Sequence, residues 1–259
     1  MYKYFRLFLA SALILPVMLA ASGCSQSTGA LNLSASIVLS DALKEINLLY
    51  LEANPDLTIV PNFTSAGTIQ QQIENGAPCD VFVAAAPVFM DNLQNKGLII
   101  IDTRRDLVGN SLVLIVPAEG TLNINGFNDL TGSAVKRIAI GDPGSVSAGT
   151  YAKQAFDLLG LTSSLQSKLV LAGNVRQVLT YVETGDVDAG LVFATDALAS
   201  SKVRVVASVP AEINSQIVYP AAVIKASKNI DAAKNYLGFL SSEPAKAIFT
   251  KYGFSLVLP

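Results

Sequence analysis

The feature that most constrains this 259-residue chain is its alternation of short apolar segments with segments of helical periodicity. Seven segments are mostly apolar and bounded by turn-forming residues, as expected of buried strands: residues 57–63, 81–86, 111–116, 137–140, 168–171, 189–193 and 203–206. Strands that are apolar on both faces belong to sheets covered by helices on both sides. The alternation therefore predicts an α/β protein with parallel sheets.

The segments between these strands repeat apolar residues three or four positions apart, which is the period of an amphipathic helix. Five such faces are predicted: Leu43, Ile46 and Tyr50; Tyr151, Ala155, Leu158 and Leu159; Val175, Val178, Leu179 and Val182; Ile230, Ala233, Leu237 and Leu240; and Ala245, Ile248, Phe249 and Tyr252. Pro244 is expected to open the last helix, because proline is favoured in a first turn.

The first 24 residues have the features of a secretory leader. Lys3 and Arg6 precede an apolar stretch over residues 7–21, which is shorter than the roughly 20 residues that a membrane-spanning helix needs. The following Ala-Ser-Gly-Cys resembles a lipobox, so we predict a signal peptide over 1–24, lipid attachment at Cys24 and a flexible tether over 25–32. The alternatives are an ordinary cleaved signal and an uncleaved anchor. The expected location is extracytoplasmic, either at the outer face of the cytoplasmic membrane or in the periplasm.

The composition excludes several classes of function. The chain has no histidine, which excludes a Ser-His-Asp hydrolase and argues against a zinc enzyme. Its net charge of −2 argues against nucleic-acid binding, which normally requires a basic face. Cys79 is the one cysteine after the leader and is expected to be an inert thiol. We predict no enzymatic activity, no metal and no cofactor.

Four junctions lead from a predicted strand into a predicted helix: residues 36–40 before Asp41, residues 63–68, residues 141–150, and residues 172–174 with Asn174 as N-cap. The N-terminus of a helix carries about half a positive charge and up to four unpaired N–H groups. Ligands in α/β proteins bind at the carboxyl ends of the strands. Four such ends around one point could hold a dianion without lysine or arginine.

Seven ordered motifs resemble those of the periplasmic molybdate-binding proteins of ABC importers: LSDALKEI (39–46), QQIENGAPCDVFVAA (71–85), LVGNSLVLIVP (107–117), IGDPGSVSAGTYAKQA (140–155), NVRQVLTYVETGDVDAGLVF (174–193), TDALAS (195–200) and IFTKYGF (248–254). The resemblance covers roughly residues 33–254. It implies the class II periplasmic binding protein fold, in which two doubly wound α/β domains joined by two crossover strands close on a tetrahedral oxyanion. Domain I would comprise residues 33–113 and 222–259, and domain II residues 114–221, with crossovers near 114–116 and 220–223.

The resemblance also implies which residues contact the ligand. It places one backbone N–H donor at Ala148 and another at Val175, and any residue except proline can fill these roles. The family has two serines and a tyrosine as side-chain ligands. Those three positions are Val38, Ala66 and Phe193 in this chain, so none of them carries a hydroxyl.

Two serines are candidate substitutes for the missing hydroxyls. Ser36 and Ser65 lie within two residues of the altered positions, although ordinary capping of strand and helix ends is the alternative role for both. Two nearby charged residues are expected to do other things: Asp142 to organise its own turn, and Arg176 to point away from the cleft.

Two functions follow from the resemblance and its departures. The first is a lipid-anchored, monomeric solute-binding protein that delivers molybdate or tungstate to a cognate ABC permease. The second keeps the fold and changes or loses the cargo: a more apolar ligand, another anion, or a structural role in a membrane complex.

Overall fold

The computed structural model describes residues 29–257, so the predicted signal peptide, Cys24 and residues 25–28 of the predicted tether lie outside the described residues. The strands are β1 (Ala30–Ser36), β2 (Thr58–Thr64), β3 (Val81–Val83), β4 (Arg105–Gly109), β5 (Leu112–Pro117), β6 (Ile138–Gly141), β7 (Leu169–Ala172), β8 (Ala189–Phe193), β9 (Val203–Ser208), β10 (Val218–Val223) and β11 (Ser255–Leu256). The helices are α1 (Ser40–Ala53), α2 (Ala66–Glu74), α3 (Pro87–Asn95), α4 (Ser147–Leu158), α5 (Thr162–Leu165), α6 (Val175–Glu183), α7 (Ala194–Leu198), α8 (Ala211–Asn214), α9 (Ile230–Leu240) and α10 (Glu243–Lys251).

The strands form two sheets, each of which is the centre of one domain. The first sheet has the order β11-β4-β10-β3-β1-β2 and packs against α1, α2, α3 and α9. The second has the order β7-β6-β8-β5-β9 and packs against α4, α6 and α7. Residues 30–32, which were predicted to belong to the tether, are the first residues of β1 and pair with β2. Any tether would therefore end before Ala30.

The two crossovers lie a few residues from their predicted positions. The chain leaves the first sheet after Gly109 and enters the second at Leu112; it leaves the second after Ser208 and returns at Val218. The predicted domain boundaries at 113/114 and 221/222 fall inside β5 and β10, yet each of these strands belongs wholly to one sheet. Apolar composition alone does not reveal the boundary, because both crossover strands are buried along most of their length.

The sheets are mixed, which corrects the prediction of parallel sheets. β1 is parallel to β2 and β3, and β6 is parallel to β7 and β8. β10 is antiparallel to β3 and β4, and β5 is antiparallel to β8 and β9. The physical reason is the crossover: a strand arriving from the other domain enters its sheet at the cleft and runs away from it.

Most of the predicted helical faces are buried. All four residues of the α6 face are in the core, as are Leu43, Ile46 and Tyr50 of α1. The prediction was wrong at the end of α4, where Leu158 is 55% exposed and Leu159 is 37% exposed, because the helix ends there. Ile230, Ile248 and Tyr252 are only partly buried. None of the helices within residues 29–257 has both the length and the apolar character needed to cross a bilayer.

Candidate ligand-binding site

A cavity of about 10 Å³, which we call the central cavity, lies in the cleft between the two domains, where strands from both sheets end. The lining residues lie at or just beyond the carboxyl ends of β1, β2, β3, β6, β7 and β8: Ser36, Ile37, Val38, Thr64, Ser65, Ala66, Ala85, Val146, Ser147, Ala148, Asn174, Val175 and Phe193. All seven residues predicted as ligands or substitutes are among them, so the structure brings the predicted set together. None of these described lining residues is charged.

The turn between β6 and α4 is organised by Asp142. Its carboxylate accepts hydrogen bonds from Gly144 N (3.1 Å) and Ser145 Oγ (2.8 Å), which confirms its predicted role in the turn. A Cβ at Gly149 would lie only 2.0 Å from Gly141 O, so glycine is required for α4 to begin directly against β6. The small residues of this stretch thus bring the N-terminus of α4 to the cleft.

α4 begins without a side-chain cap. Its N-cap residue is Val146, whose side chain cannot accept a hydrogen bond. Within the described chain, no backbone carbonyl accepts from the N–H groups of Ser147, Ala148 or Gly149. Ala148, the predicted donor, is fully buried and lines the cavity. The helix end therefore presents unpaired, partially positive N–H groups to the cleft.

The N-terminus of α6 provides a second group of donors. Asn174 caps the helix by accepting a hydrogen bond from Gln177 N at 3.0 Å, which confirms the predicted N-cap. The cap leaves the N–H of Val175 without a backbone acceptor in the described chain. Val175 is the other predicted backbone donor, and it too is buried against the cavity.

In the first domain, β1 ends at Ser36 and leads through a 3-10 turn over Ile37–Leu39 into α1. Val38 lies in this turn and presents an isopropyl group to the cavity. The Ser36 hydroxyl accepts a hydrogen bond from Ala85 N at 2.9 Å. Accepting this bond leaves the Ser36 O–H free to donate.

The other first-domain helix at the cavity is α2, whose N-cap is Ser65. The Ser65 hydroxyl accepts from Thr68 N at 3.4 Å and lies 2.7 Å from Thr68 Oγ1. Ser65 therefore caps α2, which was the predicted alternative to a role as a ligand. Ala66 begins the helix with a methyl group, and its N–H has no backbone acceptor within the described chain.

Phe193 forms an apolar wall of the cavity. Its ring makes edge-to-face contacts with Tyr151 (centroids 6.4 Å apart) and Tyr219 (5.5 Å apart). The Tyr219 hydroxyl accepts from Asn110 Nδ2 (3.1 Å), which also donates to Thr195 Oγ1 (2.9 Å). These contacts tie the wall of the cavity to the crossover at Asn110.

The two domains touch directly across the cleft. Gly67 N, in α2, donates a hydrogen bond to Ser145 O, in the turn before α4, at 2.9 Å. A Cβ on Gly67 would lie 2.6 Å from Ser145 Cα, which is closer than side-chain atoms approach. The domains are therefore closed on each other, and this contact requires glycine.

Arg176 bridges the domains at the rim of the cleft, which corrects the expectation that it points away. One of its terminal nitrogens, Nη2, lies 2.9 Å from Asp41 Oδ2 in α1 of the first domain. Its Nε lies 2.7 Å from Asp196 Oδ1 in α7, an ion pair without good hydrogen-bond alignment. The only sequence signal for this bridge was a cation next to a helix N-terminus that faces the cleft.

Asp196 is fully buried. Burial raises the pKa of this carboxyl to about 7, although the neighbouring Arg176 favours the charged form. Asp196 was not identified from the sequence, although it is a single acidic residue within the mostly apolar stretch that follows β8.

The rim continues into an open groove of about 600 Å³ between the domains. Besides Asp41 and Arg176, the groove is lined by Glu45, Lys251 and Tyr252. Lys251 Nζ lies 2.7 Å from Glu45 Oε2, and the Tyr252 hydroxyl donates to the same oxygen. The charges of the rim are thus largely paired with each other.

Cys79 is away from the cavity and has the features of an inert thiol. It is buried, and burial raises the pKa of the thiol to about 11. A thiol with so high a pKa is almost entirely protonated at neutral pH, and the protonated form is a poor nucleophile.

Comparison with known proteins gives a consistent result. The family of bacterial extracellular solute-binding proteins matches residues 31–255. YvgL of Bacillus subtilis, provisionally named an ABC transporter substrate-binding lipoprotein, is 39% identical over 98% of this chain and 99% of its own length. ModA of Haemophilus influenzae, named a molybdate-binding protein, is 36% identical over 85% of this chain and 88% of its own length.

A solved structure from Clostridium difficile, provisionally described as the substrate-binding domain of a molybdenum ABC transporter, is similar throughout. It is 41% identical, with a TM-score of 0.68 over 88% of this chain and 99% of its own. These matches confirm the predicted family and the predicted fold. The chain therefore belongs to the bacterial extracellular solute-binding proteins, a non-enzymatic family, and is a substrate-binding protein of an ABC transporter.

Proposed function

We propose that the protein binds molybdate or tungstate in the central cavity and delivers it to a cognate ABC permease. One observation carries the proposal: unpaired N–H groups from both domains, at Ala66, Ala148 and Val175, line the same uncharged cavity. N–H groups at helix ends attract anions by their partial charge and direct hydrogen bonds to them. The name of the Haemophilus relative and the description of the Clostridium structure support this class of ligand.

The missing hydroxyls lower the expected affinity without abolishing it. A hydrogen bond to a charged group contributes about 1.5–3 kcal/mol, so each loss at Val38, Ala66 and Phe193 weakens binding by about tenfold or more. The free O–H of Ser36 compensates for part of this loss. Ser65 compensates less, because its hydroxyl is engaged by Thr68.

Binding requires the domains to open and close. A cavity of about 10 Å³ is the size that accommodates about one water molecule, and a tetrahedral oxyanion is larger. The ligand therefore enters an open form, and the domains then hinge about the crossovers at residues 110–111 and 209–217. The permease would recognise the bound, closed form, and the protein would act as a monomer.

The leader supports attachment to the membrane through a lipid on Cys24. Metabolic labelling with a radioactive fatty acid should mark the wild-type protein and leave Cys24→Ala unlabelled. Labelling of both proteins would contradict attachment at this cysteine.

The second candidate function is a changed or lost cargo. It is favoured by the apolar groups that Val38, Ala66 and Phe193 present to the cavity. A protein that has lost its cargo gains no stability from any oxyanion, whereas a receptor is stabilised by saturating ligand through mass action.

A thermal-unfolding titration separates the two candidates. The mature chain from residue 25 is measured with molybdate, tungstate, sulfate and phosphate. A ligand at about 100 times its Kd adds about 2.7 kcal/mol, or roughly 5–10 °C for a chain of this size. We expect this shift with molybdate and tungstate. The absence of any shift at millimolar oxyanion would contradict the proposed function.

A further inference from the structure

Ser147 is the first residue of α4 and directly precedes the predicted donor Ala148. It is only 4% exposed and lines the central cavity. Its hydroxyl is buried and has no hydrogen-bond partner among the described residues. A buried hydroxyl without a partner destabilises a protein, so such groups are rare in folded chains.

The neighbouring serines differ from Ser147 in this respect. Ser145 donates its hydroxyl to Asp142 at 2.8 Å, and Ser65 is engaged by Thr68 at 2.7 Å. Ser36 accepts from Ala85 at 2.9 Å. Ser147 alone among these four serines has neither a donor nor an acceptor within the described chain.

Ser147 lies in the domain whose expected side-chain ligand, a hydroxyl at position 193, is missing. The phenyl ring of Phe193 stands in the same cavity and provides no hydroxyl. Ser147 places one next to the unpaired N–H groups of its own helix, where the helix dipole favours an anion. On the first-domain side, Ser36 has a free O–H as its counterpart.

We propose that Ser147 is a side-chain ligand of the bound oxyanion, donating its O–H in place of the hydroxyl that is missing at Phe193. The inference rests on the proposed function and adds a specific residue to it. Ligand binding would give the buried hydroxyl its hydrogen bond. The free protein therefore bears a destabilising group that the bound protein does not.

The test is Ser147→Ala, with Ser145→Ala as the matched control. We expect Ser147→Ala to raise the Kd for molybdate about tenfold to hundredfold. The same substitution should leave the ligand-free melting temperature unchanged or raise it, because it removes an unpaired polar atom. Ser145→Ala should do the opposite: it removes a turn hydrogen bond, lowers the ligand-free melting temperature and changes the Kd little.

A second variant tests whether a hydroxyl added at position 193 can replace the hydroxyl of Ser147. In the Ser147→Ala background, Phe193→Tyr should recover part of the lost affinity. In the wild-type background it should change the Kd by less than the recovery. If Phe193→Tyr does not restore any affinity, the Ser147 hydroxyl does not take the place of a hydroxyl at position 193.

The outcomes separate this inference from the proposed function. If the wild-type protein binds molybdate or tungstate and Ser147→Ala binds equally well, the role of Ser147 is wrong and the function stands. If the wild-type protein binds neither anion, both are wrong. A lower ligand-free stability of Ser147→Ala with an unchanged Kd would indicate a purely structural serine.

Discussion

The centre and the rim of the cleft use different electrostatics. The central cavity is lined by uncharged residues, and several of its N–H and O–H donors are unpaired, among them the N–H groups of Ala148 and Val175 and the hydroxyl of Ser147. The rim carries charged side chains, and they pair with each other: Arg176 with Asp41 and Asp196, and Lys251 with Glu45. Several donors are thus left free in the centre, whereas the charges at the rim are paired with each other.

The difference suggests a division of roles. Neutral donors at helix ends are directional, so they select an anion by the geometry of its oxygens as well as by its charge. Charges that are already paired add little attraction for a ligand, and the pair of Arg176 with Asp41, which joins the domains, favours the closed arrangement. The centre would determine what binds, and the rim how firmly the domains close.

The largest expected effect comes from breaking the rim at Arg176. Arg176→Met leaves Asp196 buried without its counter-charge, and removing one partner of a buried ion pair costs about 3–5 kcal/mol. Chemical denaturation at pH 8 should show this loss. Arg176→Met combined with Asp196→Asn should recover most of it, because no charge is then buried. A loss below about 1 kcal/mol in the single variant would contradict the buried pairing.

The matched control at the rim is Asp41→Asn, which removes only the partly exposed partner of Arg176. Exposed ion pairs contribute about 0–1 kcal/mol, so the free energy of unfolding should change little. The bridge to the first domain is nevertheless lost, and closure should weaken. We therefore expect a modestly higher Kd for molybdate with nearly unchanged stability.

An intermediate effect is expected from obstructing closure with Gly67→Ala. The added methyl would lie 2.6 Å from Ser145 Cα, and such overpacking costs about 1–3 kcal/mol. Most of that cost falls on the closed form, because Ser145 belongs to the other domain, so the Kd for molybdate should rise about tenfold to hundredfold. Within the first domain the methyl would lie 3.1 Å from Phe89 Cε1, but alanine favours a helix more than glycine does, so the ligand-free stability should change little. An unchanged Kd in calorimetry would show that the domains do not close this tightly on the ligand.

The last expected effect is a pH dependence that originates at the rim. Folded Asp196 has a pKa of about 7, against 3.8 as its ordinary value, so between these values the folded state binds more protons than the unfolded state. Stability should therefore be greatest at the acidic end of this window and fall as the pH rises through 7, by up to about 1.4 kcal/mol per pH unit. The chain has no histidine that would titrate in this range.

Thermal melts between pH 5 and 8 measure this dependence. The wild-type melting temperature should fall with rising pH, and Asp196→Asn should be nearly flat over the same range. Parallel curves for the two proteins would contradict the assignment to Asp196.

Much of the fold was predictable because it depends on local periodicity. The seven predicted strands and five helical faces correspond to elements of the structure, and both Asn174 and Asp142 have their predicted local roles. The direction of β5 and β10 was not predictable in the same way. Strand direction within a sheet depends on the path of the whole chain between the two domains, and an apolar strand looks the same in either direction.

The positions of the predicted site residues could be obtained from the sequence and the resemblance, but the contacts of the side chains could not. Helix ends that follow strands indicated where backbone donors lie, the resemblance assigned them to Ala148 and Val175, and both residues line the cavity. The rim bridge joins residues 135 positions apart, so no local pattern reveals it. The free hydroxyl of Ser147 is likewise a matter of tertiary contacts, since a serine beside a helix end normally finds a cap partner.

The position of the bound anion tests the proposed site directly. Crystals grown with tungstate would locate the tungsten atom by its anomalous scattering. We predict one peak in the central cavity, with oxygens within hydrogen-bond distance of the N–H groups of Ala148 and Val175 and of the hydroxyl of Ser147. A peak in the rim groove beside Arg176 or Lys251, with none in the cavity, would contradict this prediction.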